Sequence, residues 1–500
     1  MTPSFAQPRI GDTAFEQTFD QPLLDSVDRQ GEGTSTIDNA TLRVEAKTSH
    51  VVRYKLPLDR IRGKKLTLSA DVRAVNVAKP PRPWNGVKVM VHSVSPSGPR
   101  WDAPSELHGS FDTKRVSAIA SVPTDVTEAW IVLGLEEAGG TVWFDNVRAK
   151  VTAIARSRPT TRPMFSQEQL DRRTDISRFR GVMYGPHGKE EDLRKLKEWN
   201  VNFIRWQLFW VTPDGKFDGW RDMAAYDKWL DEALTELERW LPLCDELGIK
   251  VLVDLHTPPG GNILLPDMHW PLFAEKHYQD RFLQVWDEIS TRLKKYEAVW
   301  GYDLANEPGE GDIPDGLMNW RQLAEAAAKR VRAIDEKRAI VVPPGQGGGW
   351  DNLDYFEPLP VDGVIYTVHM YVPHEFTHQG VMPGVPVGLN YPGHFRNQDW
   401  NKAALKKVLQ PVRDYQLDYN VPILLGEFSA IRWAPDDSAR QYLSDCIDIF
   451  EEFGWDWSYH AFREWHGWSV EHDGDRGTTE PAKTQTSREK LLRGWFGKNR

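Results

Sequence analysis

Val299-Trp-Gly-Tyr-Asp-Leu-Ala-Asn-Glu307-Pro308 and Val421-Pro-Ile-Leu-Leu-Gly-Glu427-Phe428 are short apolar runs that each end on a glutamate. Runs of this length read as parallel strands buried on both faces, and a carboxylate just past the last apolar residue stands at the strand mouth. Working outward, further runs of the same kind predict strands over 179–184, 202–206, 250–255, 301–305, 339–342, 364–369, 423–426 and 456–461. Helical patterns separate most of them. The clearest covers 223–247, with Tyr226, Leu230, Leu234, Leu237, Leu241 and Cys244 on one face and Gly248 as the stop. A second covers 438–453, with Asp436 and Asp437 as cap candidates and Gly454 as the stop. Eight strands alternating with helices predict a closed (β/α)8 barrel rather than a doubly wound sheet. The glycine cluster Gly345-Gln-Gly-Gly-Gly-Trp lacks the context of a phosphate-binding loop.

The pattern changes near residue 155. Before it lie Thr41-Leu-Arg-Val-Glu, Lys65-Leu-Thr-Leu-Ser-Ala-Asp-Val, Val87-Lys-Val-Met-Val, Ala129-Trp-Ile-Val-Leu-Gly-Leu and Thr141-Val-Trp-Phe-Asp-Asn-Val. These alternate with period two between Gly, Pro and Asp punctuation, the pattern of an antiparallel sandwich. Ala155-Arg-Ser-Arg-Pro-Thr-Thr-Arg-Pro is polar, Pro-bearing and unpatterned, and reads as a linker. The expected fold class is therefore multidomain: an all-β sandwich over 1–154, a linker over 155–165 and a (β/α)8 barrel over 166–500.

Five hundred residues suit two or three domains, and 40% hydrophobic with 27% charged residues is an ordinary globular balance. A net charge of -10 with no basic stripe argues against a nucleic-acid partner. No apolar run reaches membrane-spanning length. The 22 tryptophans exceed what most cores use, and tryptophan faces also stack on sugar rings. Cys244 and Cys446 sit on apolar helical stripes and read as buried free thiols. The residues after Met1 lack the basic and apolar regions of a leader. A polymer substrate lies outside the cell, so the expectation is a secreted or periplasmic protein whose leader has been removed, with a cytoplasmic one left open.

Hydrolysing an acetal requires a proton donor for the leaving oxygen and a carboxylate on the opposite side. Glu307 and Glu427, from the fourth and seventh strands, face each other across the expected barrel mouth. Asn306 is placed to hydrogen-bond a sugar hydroxyl. Arg205 ends the second strand and can hold one carboxylate ionised. His256 follows the third strand, and His369 and Tyr371 the sixth. Tyr371 can donate to the nucleophile, and the two histidines can hold sugar hydroxyls or orient the acid.

Arg180-Gly-Val-Met-Tyr, Asn202-Phe-Ile-Arg205-Trp, Leu252-Val-Asp-Leu-His256, Asn306-Glu307-Pro308, His369-Met-Tyr371 and Gly426-Glu427-Phe428 occur in this order. Together they resemble glycoside hydrolase family 5, whose members are retaining β-glycanases on a (β/α)8 barrel. The resemblance implies that Glu307 is the acid/base and Glu427 the nucleophile. It implies substrate contacts from Arg205, His256, Asn306, His369 and Tyr371, and no catalytic metal or other cofactor. One departure bears on the substrate. Family members usually carry a tryptophan at the end of the eighth strand, where this chain reads Trp457-Ser-Tyr-His460-Ala-Phe-Arg-Glu-Trp465. His460 takes that place, or Trp465 supplies the ring from further along. Thr257 stands where many members have a second histidine. The first domain resembles jelly-roll carbohydrate-binding modules, which makes Asp145 a candidate neighbour of a structural calcium.

The resemblance favours an oligosaccharide or polysaccharide partner, with β-1,4-glucan first. Mannan, xyloglucan, β-1,3-glucan and exo-acting β-glycosidase chemistry stay open, as does the oligomeric state. A metal-dependent amidohydrolase barrel would need a His-x-His pair after the first strand, where this chain reads Tyr184-Gly-Pro-His187. A non-catalytic sugar-binding barrel would not need both glutamates. Glu464 is expected to serve as a charged partner for Arg463 or Arg221. The Pro- and Gly-rich insertion over 371–400 is a candidate wall that would close the cleft at one end.

Overall fold

The computed structural model describes residues 8–21, 27–96, 98–164, 176, 178–210, 221–262, 270–311, 313–381, 385–395 and 397–499. Packing divides the chain into two units. One is Met1–Ser157 with Leu264–Trp270 and Glu310–Leu317, and the other comprises Arg158–Ile263, Pro271–Gly309 and Met318–Arg500.

The first unit is all-β. Its strands are β1 (Thr13–Gln17), β2 (Asp28–Asp38), β3 (Thr41–Lys55), β4 (Lys64–Val77), β5 (Gly86–Ser95), β6 (Gly98–Asp102), β7 (Gly109–Ser121), β8 (Glu128–Glu136) and β9 (Gly140–Ile154). They pair in the order β6-β5-β8-β3-β9-β4-β7, with β1 on β9 and β2 on β3, and every ladder is antiparallel. Alternate residues face one core: Val87, Val89 and Val91 of β5, Ile131, Leu133 and Leu135 of β8, and Val116, Ala118 and Ala120 of β7. Strands from both arms of the path thus share one apolar interior. Asp145, the candidate calcium neighbour, accepts a hydrogen bond from the Asn146 amide.

The second unit holds a closed barrel of β10 (Arg180–Tyr184), β11 (Phe203–Gln207), β12 (Lys250–Asp254), β13 (Val299–Asp303), β14 (Ala339–Val342), β15 (Val364–Met370), β18 (Ile423–Phe428) and β19 (Asp456–Tyr459). Each neighbouring pair is parallel, and β19 returns to β10. A small hairpin, β16 (Gly393–Phe395) with β17 (Gln398–Trp400), lies within the 371–400 insertion. The longer helices are α1 (Glu190–Glu198), α2 (Met223–Leu247), α3 (Lys276–Leu293), α4 (Trp320–Ile334), α5 (Gln410–Tyr419), α6 (Ser438–Phe453) and α7 (Ser487–Phe496). Helix α2 begins where the Asp222 carboxylate accepts the Ala224 and Ala225 amides, and it ends at Gly248 in the left-handed region. Among the described residues no helix is long and apolar enough to cross a membrane. Cys244 and Cys446 are both free and buried.

Two sequence expectations are corrected here. Asp437 precedes α6 but caps nothing with its side chain. It has a left-handed backbone, and its carboxylate accepts the Ser487 hydroxyl instead. Of the two partners expected for Glu464, Arg463 pairs instead with Asp192 and Glu471.

The barrel interior is layered by the period-two pleat. Phe179, Phe203, Leu252, Trp300, Ala339, Val341, Ile365 and Leu424 pack into an apolar floor. Two residues further along β11 and β12 stand Arg205 and Asp254, pointing into the same interior one layer nearer the strand ends. Asp254 pairs in register with Asp303 of β13. The floor is a packed core, and the chemistry begins above it.

Candidate active site

Arg205 organises the layer above the floor. It is fully buried, yet its guanidinium meets three carboxylates: Asp303 at 2.8 Å, Glu427 at 2.9 Å and Asp254 at 3.1 Å. It also donates to the Asn306 side-chain Oδ1 at 3.0 Å. Burial opposes its charge, but the three carboxylates outweigh that cost and hold the guanidinium firmly protonated. One cation against three anions leaves a surplus of negative charge. Burial, with Asp254 adjacent, accordingly lifts the Asp303 carboxyl above the usual carboxylate range despite the contact with Arg205.

Glu427 sits inside β18 rather than beyond it, and its side chain is only 5% exposed. One carboxylate oxygen accepts from Arg205, and the other accepts the Tyr371 hydroxyl at 2.8 Å. The imidazole Nδ1 atoms of His460 and His369 lie 3.4 and 3.8 Å from that second oxygen. Burial raises the cost of ionising Glu427, but His369, His460 and Arg205 more than offset it and hold the carboxyl well below its usual range. Glu427 is therefore held toward its anionic form, with its oxygens fixed by Arg205 and Tyr371.

Glu307 lies four residues past the end of β13, on a chain whose Leu304, Ala305 and Asn306 remain buried. Its side chain is 37% exposed, and one oxygen meets His369 Nδ1 at 2.7 Å. His369 is the β15 neighbour of Glu427 in the parallel ladder, so a single imidazole stands between the two glutamates. Burial disfavours a charge on His369, yet Glu427 and Glu307 raise its pKa above the ordinary value. Gly426 makes room for it, because a Cβ there would lie 2.6 Å from the Thr367 hydroxyl and 3.0 Å from His369 Nε2.

The remaining candidates divide. His256 Nδ1 lies 2.8 Å from Asp254, and its Nε2 lies 3.3 Å from the Asn306 amide nitrogen, so both residues join the cluster. His460 contacts the Tyr371 hydroxyl through Nδ1 and Glu464 through Nε2 at 3.3 Å. Trp465 stands one ring further out. It meets Trp433 and Trp468 edge-on, and it is Trp468, only 8% exposed, that backs Tyr371, His378 and His460. Sequence reading missed Asp254 and Asp303, which look like interruptions in apolar strands. The signal available was phase, since each lies on the inward face that Arg205 also occupies. It also missed the tie of Glu464 to His460 and to the Gln207 amide at 2.8 Å.

Among the described residues, Glu307, His369 and Glu427 form the group of titratable side chains able to share a metal ion, with ligand atoms all within 4.8 Å of one another. Those atoms are already engaged with one another and with Arg205 and Tyr371. The same distance brings two carboxylates of unlike environment close together. One is buried, pinned and anionic, and the other is open to the solvent and bonded to an imidazole.

Residues 168–466 match the family model described as Cellulase (glycosyl hydrolase family 5). Cellodextrinase A of Ruminococcus flavefaciens is 21% identical over 272 residues, covering 53% of this chain and 76% of that protein. Endoglucanase C of Acetivibrio thermocellus is 24% identical over 257 residues, 46% of this chain and 73% of its own. A β-xylosidase of Phanerodontia chrysosporium is 28% identical over 230 residues, 44% of this chain and 43% of its own. Among solved structures, an endoglucanase superposes with a TM-score of 0.49 at 20% identity, over 64% of this chain and 97% of that one.

Proposed function

Because the chain belongs to glycosyl hydrolase family 5, a family of glycoside hydrolases acting on β-glycans, we propose that it cleaves β-1,4-glucan with retention of anomeric configuration. The observation that carries this reading is the closeness of Glu307 and Glu427, whose ligand oxygens approach within 4.8 Å. Retaining enzymes hold their carboxyl groups about 5–5.5 Å apart, whereas inverting ones leave about 6.5–9.5 Å for a water. The environments support a division of roles. Glu427, anionic and fixed by Arg205 and Tyr371, attacks the anomeric carbon while Glu307 protonates the departing oxygen. Glu307 then takes a proton from water, which attacks the same carbon and releases Glu427. His369, touching Glu307, stabilises the carboxylate left when Glu307 gives up its proton in the first step. Asn306, fixed by Arg205, is placed to bond a sugar hydroxyl.

We assign residues 1–154 to a jelly-roll module that holds glycan, 155–165 to a linker and 166–500 to the catalytic barrel. The support within the first unit is a row of side chains on its outer sheet face. Trp101 of β6, His92 of β5 and Trp130 of β8 are register neighbours with stacked rings, and Arg53 lies 4.2 Å over Trp130. Trp101 is 62% exposed. Since a polymeric substrate lies outside the cell, we assign the protein there.

The test of the reaction follows the first-formed product by proton NMR on cello-oligosaccharides, with manno-, xylo- and β-1,3-gluco-oligosaccharides in parallel. The β anomer should appear first, and from the β-1,4-glucan series. The α anomer appearing first would refute retention, and preference for another series would replace the substrate. The product lengths would also decide between endo and exo action.

A further inference from the structure

We propose that Glu464 is a positioning residue for the nucleophile, acting through a doubly protonated His460. The inference rests on the reading of Glu427 as nucleophile and extends it to a carboxylate outside the family's matched motifs.

Hydrogen-bond accounting carries it. Tyr371 has one hydroxyl proton, and it donates that proton to Glu427 at 2.8 Å. The phenol oxygen can then only accept from His460 Nδ1, which touches it. On the other side of the ring, Nε2 faces the Glu464 carboxylate, 3.3 Å from one oxygen and 3.4 Å from the other. Both partners of the imidazole are acceptors, so both ring nitrogens must carry protons. Glu464 is itself fixed by the Gln207 amide of β11. The chain of contacts is therefore carboxylate, imidazolium, phenol, nucleophile.

The groups facing His460 come from several elements. Glu427 on β18 and Glu464 on its own segment favour the imidazolium. Arg205 on β11 opposes it, as does repulsion with His378 beyond β15. Burial also opposes the charge, yet the two carboxylates prevail and lift the His460 pKa above the ordinary value. When His460 does lose its Nδ1 proton, the bare nitrogen becomes an acceptor. The Tyr371 hydroxyl then turns from Glu427 to His460, and Glu427 loses a donor and a neighbouring cation together. The step that suffers is the second, in which Glu427 must leave the anomeric carbon as a stabilised carboxylate.

The experiment uses the full chain as wild type, Glu464→Gln and Glu464→Asp. His460 is followed by NMR of isotope-labelled histidine, with the signal identified by its loss in His460→Gln. In parallel, kcat and KM are measured against pH on an aryl β-cellobioside. The ring should titrate at lower pH in Glu464→Gln than in wild type. The basic limb of kcat should move the same way, with kcat and KM both down about tenfold at alkaline pH, kcat/KM little changed and Glu464→Asp largely restored. An unchanged His460 titration would overturn the inference, as would a shifted titration with an unmoved kcat limb. The NMR arm needs no substrate, so failure of the proposed reaction would register separately, as absence of turnover in the wild type.

Discussion

Arg205 is the residue on which the account of the site turns. A buried guanidinium facing three carboxylates is a poor choice for stability alone, because desolvating the ions costs more than most pairs return. Its value lies in fixing Glu427 and Asn306 while offsetting part of the pocket's negative charge. Truncating it to alanine strands Asp254, Asp303 and Glu427 without their cation. That should cost about 3–5 kcal/mol of barrel stability in urea titrations at neutral pH, and hydrolysis with it. The sign of the pH dependence follows. The stranded carboxyls would have raised pKa values in the folded variant, so protonation relieves them and the stability deficit should shrink as pH falls. A deficit that grows on acidification would contradict the role given to the cluster. The sequence made Arg205, Glu427, Tyr371 and His369 legible because they end apolar runs. Asp254 and Asp303 were hidden because an aspartate inside such a run reads as noise unless its inward phase is followed.

At the scale of elements, the strand sequence was readable and the strand limits less so. The fourth strand stops at Asp303, although Leu304 and Ala305 stay buried. Leu304 still bonds Val341 through its amide, and its carbonyl accepts the Trp286 indole, so apolar letters continue past the ladder. The seventh strand instead runs through Glu427 to Phe428, which locks that carboxylate into the ladder beside His369. Glu307 on a strand extension and Glu427 within a strand thus differ in exposure for a backbone reason. In the first unit, the period-two pattern predicted the sheet, but only the register could reveal which outward residues meet. The row through Trp101, His92 and Trp130 crosses the consecutive strands β6 and β5 and then β8, which is more distant in sequence. If that row holds glycan, Trp101→Ala should weaken retention on insoluble β-glucan about tenfold in pull-down assays, with hydrolysis of soluble oligosaccharides unaffected. Equal retention would remove the row from the binding account.

For the whole molecule, the change of hydrophobic period near residue 155 was the decisive signal. Alternation by two predicted the all-β unit, and apolar runs separated by helices predicted a closed parallel barrel, which the eight strands form. Packing separates the units between Ser157 and Arg158, yet it also assigns Leu264–Trp270 and Glu310–Leu317 to the first. The insertion over 371–400, a candidate cleft wall, lies partly outside the described residues at 382–384 and 396. His460 shows the limit of local reading: its place at the end of the eighth strand was visible, while its bonds to Tyr371 and Glu464 depend on the closed barrel. The central claim, that Glu427 forms a covalent bond to the sugar, has one direct test. Incubation with an activated 2-deoxy-2-fluoro-β-cellobioside, followed by peptic digestion and mass spectrometry, should find the fluorinated glycosyl group on the peptide carrying Glu427, and none in Glu427→Gln. Label on the Glu307 peptide, or turnover with no protein-bound sugar at any time, would contradict the mechanism.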